Sequence, residues 1–258
     1  MKSNEVRKEA RETLQGKWGK GVAIIIAFLT ISFIFSYLTG FFEENSILAF
    51  SLSLTKVMFS VPLSFGLEFV FLKLKRNENV RTFEFIQIGF ENFSRCWNIV
   101  GRTILKLIIP IIFMISGMVA YFMLTTNSVM QLTAGEVVSA RITFIIGLII
   151  YLLSIIYYAV KSLLYSLTTY IAYDNRDMVA KEVVNESASL MRGNRGKLVL
   201  LELSFIGWAI LAICTLGIGF LWLLPYMKVA MVCFYDKLIQ TRTTAKDISN
   251  DDGPIKQM

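Results

Sequence analysis

Charged, helix-compatible stretches alternate along this chain with long apolar runs. Residues 2–20 place Val6, Ala10, Leu14 and Trp18 four apart, one apolar face on an otherwise charged helix. The next run, GVAIIIAFLTISFIFSYLTGFF at 21–42, holds no charge over the roughly 20 residues that a bilayer-crossing helix needs. A second run, 47–74, contains Pro62, which membrane helices tolerate because neighbours re-satisfy the freed carbonyl. After Lys73, Lys75 and Arg76, the segment RTFEFIQIGFENFSRCW spaces Phe83, Ile86, Phe90, Phe93 and Trp97 by threes and fours, the stripe of a helix lying in the interface. A third run, 103–124 with Pro110, leads through polar TTNSVMQLTAGEVVSA to a fourth at 142–171. A surface segment from Asp174 to Lys197 precedes a fifth and a sixth, 198–213 and 217–236, which share a tight turn at CTLGIG.

The pattern predicts an all-α integral membrane protein. Its six transmembrane helices form three helical hairpins, each preceded by a cytoplasmic amphipathic helix. Residues 1–238 make one membrane domain of three repeat-like units, 3–76, 80–173 and 174–238. Residues 239–258 form a short polar tail, expected to be disordered. The repeat is plainest where Gly16-Lys17-Trp18-Gly19-Lys20 and Gly193-Asn194-Arg195-Gly196-Lys197 both read GxxGK just before an apolar run. The middle unit keeps only Trp97 and the pair Gly101-Arg102. Glycine lets the chain turn into the membrane, while Lys and Arg stay at the headgroups.

Composition sharpens this picture. Hydrophobic residues make up 55% of the 258, above the 45–50% usual for a soluble domain, and the ten-residue alternating segments of a spanning barrel are missing. The formal charge of +7 would suit nucleic acid, but its distribution suits a membrane. With both termini in the cytoplasm, 22 of the 26 Lys and Arg fall in or at the edges of cytoplasmic segments. The expected partners are the lipid bilayer and anionic lipids at the cytoplasmic face, with a membrane-protein partner and no nucleic acid. Lys17, Lys20, Arg102, Arg195 and Lys197 are the candidate headgroup contacts.

Candidate chemistry is sparse. The chain has no His, which removes the usual general acid/base, the Ser-His and Cys-His dyads and the commonest zinc ligand. Three scattered cysteines form no disulfide or metal framework. GxxGK is too short for a P-loop, and no strand precedes it. Glu43-Glu44 has no nucleophile or metal-ligand set beside it and reads as a solvated turn. The residues that merit a functional hypothesis are the charges inside apolar runs: Glu68, Lys161, Glu202 and Lys228, with Lys56 near an outer end. They read either as a structural ion-pair cluster or as a polar path. Lys228, placed mid-run after Pro225, is expected to pair with Glu202 or Glu68. Neither a cofactor nor a metal is expected.

At SFIGW (204–208), LGIGFLWLLPY (216–226) and CFYDKL (233–238) the chain resembles the bacterial integral membrane proteins grouped as domain of unknown function 975, found largely in Firmicutes. YIAYDNRDMVAKEVVNESASLMRGNRGK, LQGKWG and PLSFGLEFVFLKLKRNE are similar to that family too. One departure is Arg176, where family members commonly carry a proline after the Asp-Asn pair. The resemblance implies architecture and a bacterial plasma membrane, and it implies no activity. The residues themselves favour a non-catalytic protein acting through a partner or by organising the membrane. Envelope stress response and antimicrobial-peptide protection fit that description. A small-solute or lipid transporter using the intramembrane charges is the alternative.

Overall fold

The computed structural model describes residues 2–41, 46–133 and 137–251, and the regular structure there is helical. Eleven α-helices follow one another: α1 (Ser3–Leu14), α2 (Trp18–Phe41), α3 (Ser46–Lys75), α4 (Glu84–Glu91), α5 (Phe93–Thr133), α6 (Val137–Ser162), α7 (Thr168–Asp174), α8 (Ala180–Met191), α9 (Arg195–Leu203), α10 (Ile206–Cys214) and α11 (Phe220–Asp251). A 3-10 turn at Leu163–Tyr165 lies between α6 and α7. Five stretches are long and apolar enough to cross a membrane: Trp18–Leu38, Phe50–Lys75, Phe93–Asn127, Arg141–Asp174 and Arg195–Cys214. The expected sixth, α11, falls short because Lys228, Asp236 and Lys237 lie within its first eighteen residues.

The core sits at the charged end of the molecule, and α11 is its centre. Val229, Ala230, Val232, Cys233, Phe234 and Tyr235 are all buried. They meet Val6, Ala10 and Leu14 of α1, Ile24 and Ile25 of α2, and Val70, Phe71 and Leu72 of α3. The opposite condition holds in α5 and α6. Only 17% and 11% of their most apolar windows is buried, and Ile109, Ile112 and Leu153 are exposed. Apolar surface on this scale marks a face for lipid or for another membrane protein. Within the pair, Gly117 faces Ser154 so closely that an added Cβ would lie 2.3 Å from Ser154 Oγ.

Three short helices carry a like bond at their starts, within a capping box at α1 and α8 and from the first residue, Glu84, at α4. Glu5 accepts the Lys2 amide at 3.2 Å, Glu84 the Arg81 amide at 2.9 Å and Glu182 the Val179 amide at 3.4 Å. In each case a carboxylate satisfies an orphan amide three residues back. Two of these helices also end alike. Gln15 (φ −59°, ψ 123°) precedes Gly16 at φ 77°, and Arg192 (φ −63°, ψ 123°) precedes Gly193 at φ 80°. That left-handed conformation is one that glycine adopts freely, and it redirects the chain into the following helix at both GxxGK elbows.

Several expectations are corrected. The stripe Phe83–Trp97 does not form one helix, because the chain breaks at Asn92 and starts α5 at Phe93. Phe85 and Gly89 are the buried residues of α4, while Phe83 is 62% exposed. The polar stretch after residue 124 continues α5 to Thr133, with Thr125 and Thr126 hydroxyls bonded to carbonyls one turn back. The fifth run is two helices, broken at Ser204–Phe205. The polar tail begins as a continuation of α11 to Asp251, tied to α8 by the Arg242–Glu186 ion pair. Glu43 and Glu44 lie outside the described residues.

The tightest helix contact is that of α3 with α4. A Cβ on Gly66 would lie 1.9 Å from the Phe85 carbonyl oxygen, and one on Gly89 2.2 Å from that of Pro62. Gly66→Ala is therefore expected to cost about 1–3 kcal/mol, as overpacking does. A Cβ on Gly101 meets nothing within 4 Å, so Gly101→Ala should be neutral or stabilising by up to about 1 kcal/mol. Thermal unfolding in detergent, followed by helical circular dichroism, distinguishes the two. Equal melting temperatures would refute the close crossing.

Candidate functional site

The motifs FLKLKR, YIAYDN and CFYDKL lie far apart in the chain and meet at one place. Lys75, at the end of α3, bonds Glu9 of α1 at 2.9 Å and Asp236 of α11 at 3.1 Å. Glu9 also takes Lys237 at 3.2 Å. Arg76 grips Asp174, the last residue of α7, through two parallel bonds of 2.6 and 2.8 Å, and stands 3.8 Å from Asp236. Tyr235 donates to the same Asp174 at 2.9 Å, and Arg76 covers the Tyr173 ring at 5.9 Å. Four helices are thereby joined by alternating charges. Their side chains are 19–35% exposed, shielded enough for the pairs to matter yet still wet enough for the charges to persist.

Beside this ring the second and third surface helices have their own ties. Lys73 bonds Glu84 at 2.7 Å, joining α3 to α4. Arg95 of α5 donates to the backbone carbonyls of Asn175, at 2.6 Å, and of Met178, at 3.3 Å. These bonds fix the lead-in to α8.

Of the four charges expected inside apolar runs, two come together. Lys228 pairs with Glu68, and Tyr170 donates to the other Glu68 oxygen at 2.5 Å. Tyr170 in turn stacks on Tyr235 with ring centroids 5.6 Å apart. Lys228 is therefore not stranded in mid-run. The adjacent residues Pro225 and Tyr226 pack against Gly21 and Trp18 of the first elbow. Lys161 stands apart, over the Tyr157 ring at 5.8 Å. Glu202 is exposed on α9 with no ion-pair partner among the described residues. Lys56 donates to Ser36 Oγ at 2.7 Å across the first hairpin.

The candidate headgroup residues also divide. Lys20, Arg102 and Lys197 are exposed, and Arg195 is half-buried. Lys197 bonds Asn194 Oδ1 at 2.8 Å. Lys17 instead turns inward, donating to the Leu74 carbonyl at 3.0 Å and to Asn77. There it caps the carbonyl end of α3, where a cation is favoured. Glu9, Asp174 and Asp236 escaped notice in the sequence because each sits in an ordinary charged segment. Only the basic cluster after α3 hinted that acidic partners would be required.

Among the described residues no three Cys, Asp or Glu side chains gather as a metal site. What the arrangement does is mechanical and electrostatic: it locks surface helices onto membrane-length helices. All-helical architecture, five membrane-length apolar helices and an ionic ring at their charged end define a class of helical membrane protein. The chain belongs to the family described as protein of unknown function (DUF975), whose model matches residues 1–242. Searches of curated proteins and of solved structures found no match.

Two predictions follow from the charges. A double-mutant cycle on Glu68→Gln and Lys228→Met should show coupling on the order of 1 kcal/mol in thermal unfolding, whereas Glu202→Gln with Lys228→Met should be additive. The second concerns acid. Burial opposes ionisation of Glu9, but hydrogen bonds from Lys75 and Lys237 outweigh it and leave its carboxyl below the ordinary 4.5. Glu84 is lowered in the same way, its burial outweighed by Lys73 and the Arg81 amide. A carboxyl lowered on folding stabilises fully above pH 4.5 and loses that contribution as pH falls below it. Melting temperature in detergent should therefore drop on acidification through this range, and by less in Glu9→Gln.

Proposed function

We propose that this protein is a non-catalytic, membrane-embedded scaffold with both termini in the cytoplasm, acting by contact with a membrane partner and with anionic lipid. The observation that carries this reading is the contrast between the two ends of the molecule. The charged end is locked by ion pairs, while the α5–α6 hairpin packs on itself and leaves Ile109 and Ile112 bare at 68% and 60% exposure. Glu68 pairs with Lys228 and accepts from Tyr170, which supports a structural role and weakens the transporter alternative. Roles in envelope stress response or antimicrobial-peptide protection remain compatible with a scaffold.

The threefold plan is part of the same reading. Glu5, Val6, Ala10, Leu14 and Gly16 lie 177 positions before Glu182, Val183, Ser187, Met191 and Gly193. Glu5, Val6, Ala10 and Trp18 lie 79 before Glu84, Phe85, Gly89 and Trp97. One register thus aligns the capping acid and the packed face of all three surface helices.

The units differ in reach, and this bears on the expectation of six crossings. An added Cβ on Gly21 would lie 3.1 Å from Pro225 Cβ, so both residues stand at one level. From there α2 continues twenty residues to Phe41, about 30 Å at 1.5 Å per residue, a full hydrocarbon thickness. From Tyr226 back to Phe220 is six residues, about 9 Å. We therefore read the third hairpin, whose first arm Arg195–Cys214 is of membrane length but broken at Ser204–Phe205, as entering from the cytoplasmic side and turning within the bilayer, its tip apolar and Leu216 94% exposed. The first two hairpins cross fully, which leaves both termini inside.

Thiol labelling tests the topology, since Cys214 is the exposed cysteine and Cys96 and Cys233 are buried. Cys214, and an introduced Leu216→Cys, should resist membrane-impermeant reagents from either side of sealed vesicles and react in detergent. Labelling from the outer side alone would restore six crossings. For the function, gentle extraction and mass spectrometry should recover a stoichiometric protein companion, reduced by Ile109→Ala with Ile112→Ala. A small solute bound at fixed stoichiometry and lost in Glu68→Gln would favour the transporter instead.

A further inference from the structure

Three of the four tryptophans of the chain, Trp18, Trp208 and Trp222, line a single groove of about 560 Å³ between α1, α10 and α11. At one end stand Arg7 and Arg11; at the other are Thr215 and Gly219, at the turn of the third hairpin. The walls between them are apolar, and no carboxylate among the described residues lines the groove. Arg7 is held in place by its bonds to the Ser204 carbonyl at 3.3 Å and to Asn4 Oδ1, and Tyr226 donates to the Arg7 carbonyl at 3.2 Å. Arg7 Nε is nevertheless buried with no partner among the described residues, and Arg11 is exposed with no ion pair there.

From these features we infer that the groove is a binding site for one anionic phospholipid of the cytoplasmic leaflet. Two guanidinium groups without a neighbouring acid complement a phosphate, which arginine holds through paired bonds. The apolar walls complement an acyl chain. Length agrees as well. From Ser204, where Arg7 is anchored, to Thr215 is eleven residues, about 16 Å, close to half of a hydrocarbon core of about 30 Å. A soluble anion has no use for that depth of indole and leucine, and an uncharged apolar ligand has no use for the two arginines. The volume lies within the roughly 300–1,000 Å³ of ordinary ligand sites. Trp208 and Trp222, 53% and 51% exposed, present their rings at the open side of the groove, where amphipathic rings favour a lipid boundary. This site is distinct from the elbow lysines, and it rests on the membrane-embedded reading above.

The tryptophans supply the test. Full-length protein carrying Trp97→Phe, so that its remaining fluorescence comes from the groove, is reconstituted into vesicles of unlabelled phosphatidylcholine. Brominated phosphatidylglycerol or brominated phosphatidylcholine is then titrated in, and quenching is followed. Brominated phosphatidylglycerol is expected to quench at lower mole fraction. Arg11→Gln, and Arg7→Gln with Arg11→Gln, should each weaken that preference, by about fivefold in apparent affinity per arginine removed. Helical content and monodispersity establish that the variants are folded, and Arg11→Gln leaves the Ser204 bond intact. Equal quenching by the two lipids, or a preference unchanged in the arginine variants, would overturn the site while leaving the embedding intact. Absence of quenching by either lipid would overturn both. A preference erased by water-soluble glycerol phosphate would reassign the arginines to a free anion, and quenching that rises as the protein is diluted in lipid would assign the groove to a second copy of the chain.

Discussion

Everything at the charged end of this molecule depends on where Lys75 and Arg76 can place their charge. They end a helix whose preceding turns, Val70 to Leu74, are largely buried, so neither side chain can simply extend away from the protein. Each is met by acids from other helices: Glu9 and Asp236 for the lysine, Asp174 for the arginine. An isolated exposed pair contributes little, but a bidentate arginine within a partly shielded network is the case in which ion pairs do stabilise. Removing one partner costs more than the pair contributes, since the remaining charges stay where they are. The same constraint fixes the relative positions of α1, α3, α7 and α11, and hence the centre of the core.

With that end locked, packing becomes progressively looser away from it. Close to the ring, Gly66 and Gly89 let α3 and α4 approach to backbone contact. Further out, α2, α5 and α6 present isoleucine, leucine and phenylalanine outward. In water such a gradient would be unstable, because exposed apolar area on this scale drives association. In a bilayer it costs nothing, and helix pairing relies on small residues, as at Gly117 and Ser154. A locked charged end and bare apolar helices are together what a boundary between water and lipid asks of one chain.

The third hairpin departs from this plan. Its first arm is broken at Ser204–Phe205, and Arg7 and Arg11 of α1 line one groove with Trp208 of α10 and Trp222 of α11.

Much of this was legible from the order of residues. Hydrophobic runs, basic flanks and the paired GxxGK elbows determined a helical membrane protein with surface helices, because each is a local property of a few consecutive residues. Even the inward turn at Gly16 and Gly193 is local. What the chain could not reveal alone is which distant charges meet. Lys17 resembled a headgroup contact and proved to cap α3, and of the two partners expected for Lys228, Glu202 and Glu68, the fold selects Glu68. Asp174, Asp236 and Glu9 looked like ordinary surface acids until the fold brought them to Lys75 and Arg76. Hydropathy measures how apolar a segment is, whereas depth depends on which residue of a neighbouring helix it packs against, and only the tertiary structure decides that.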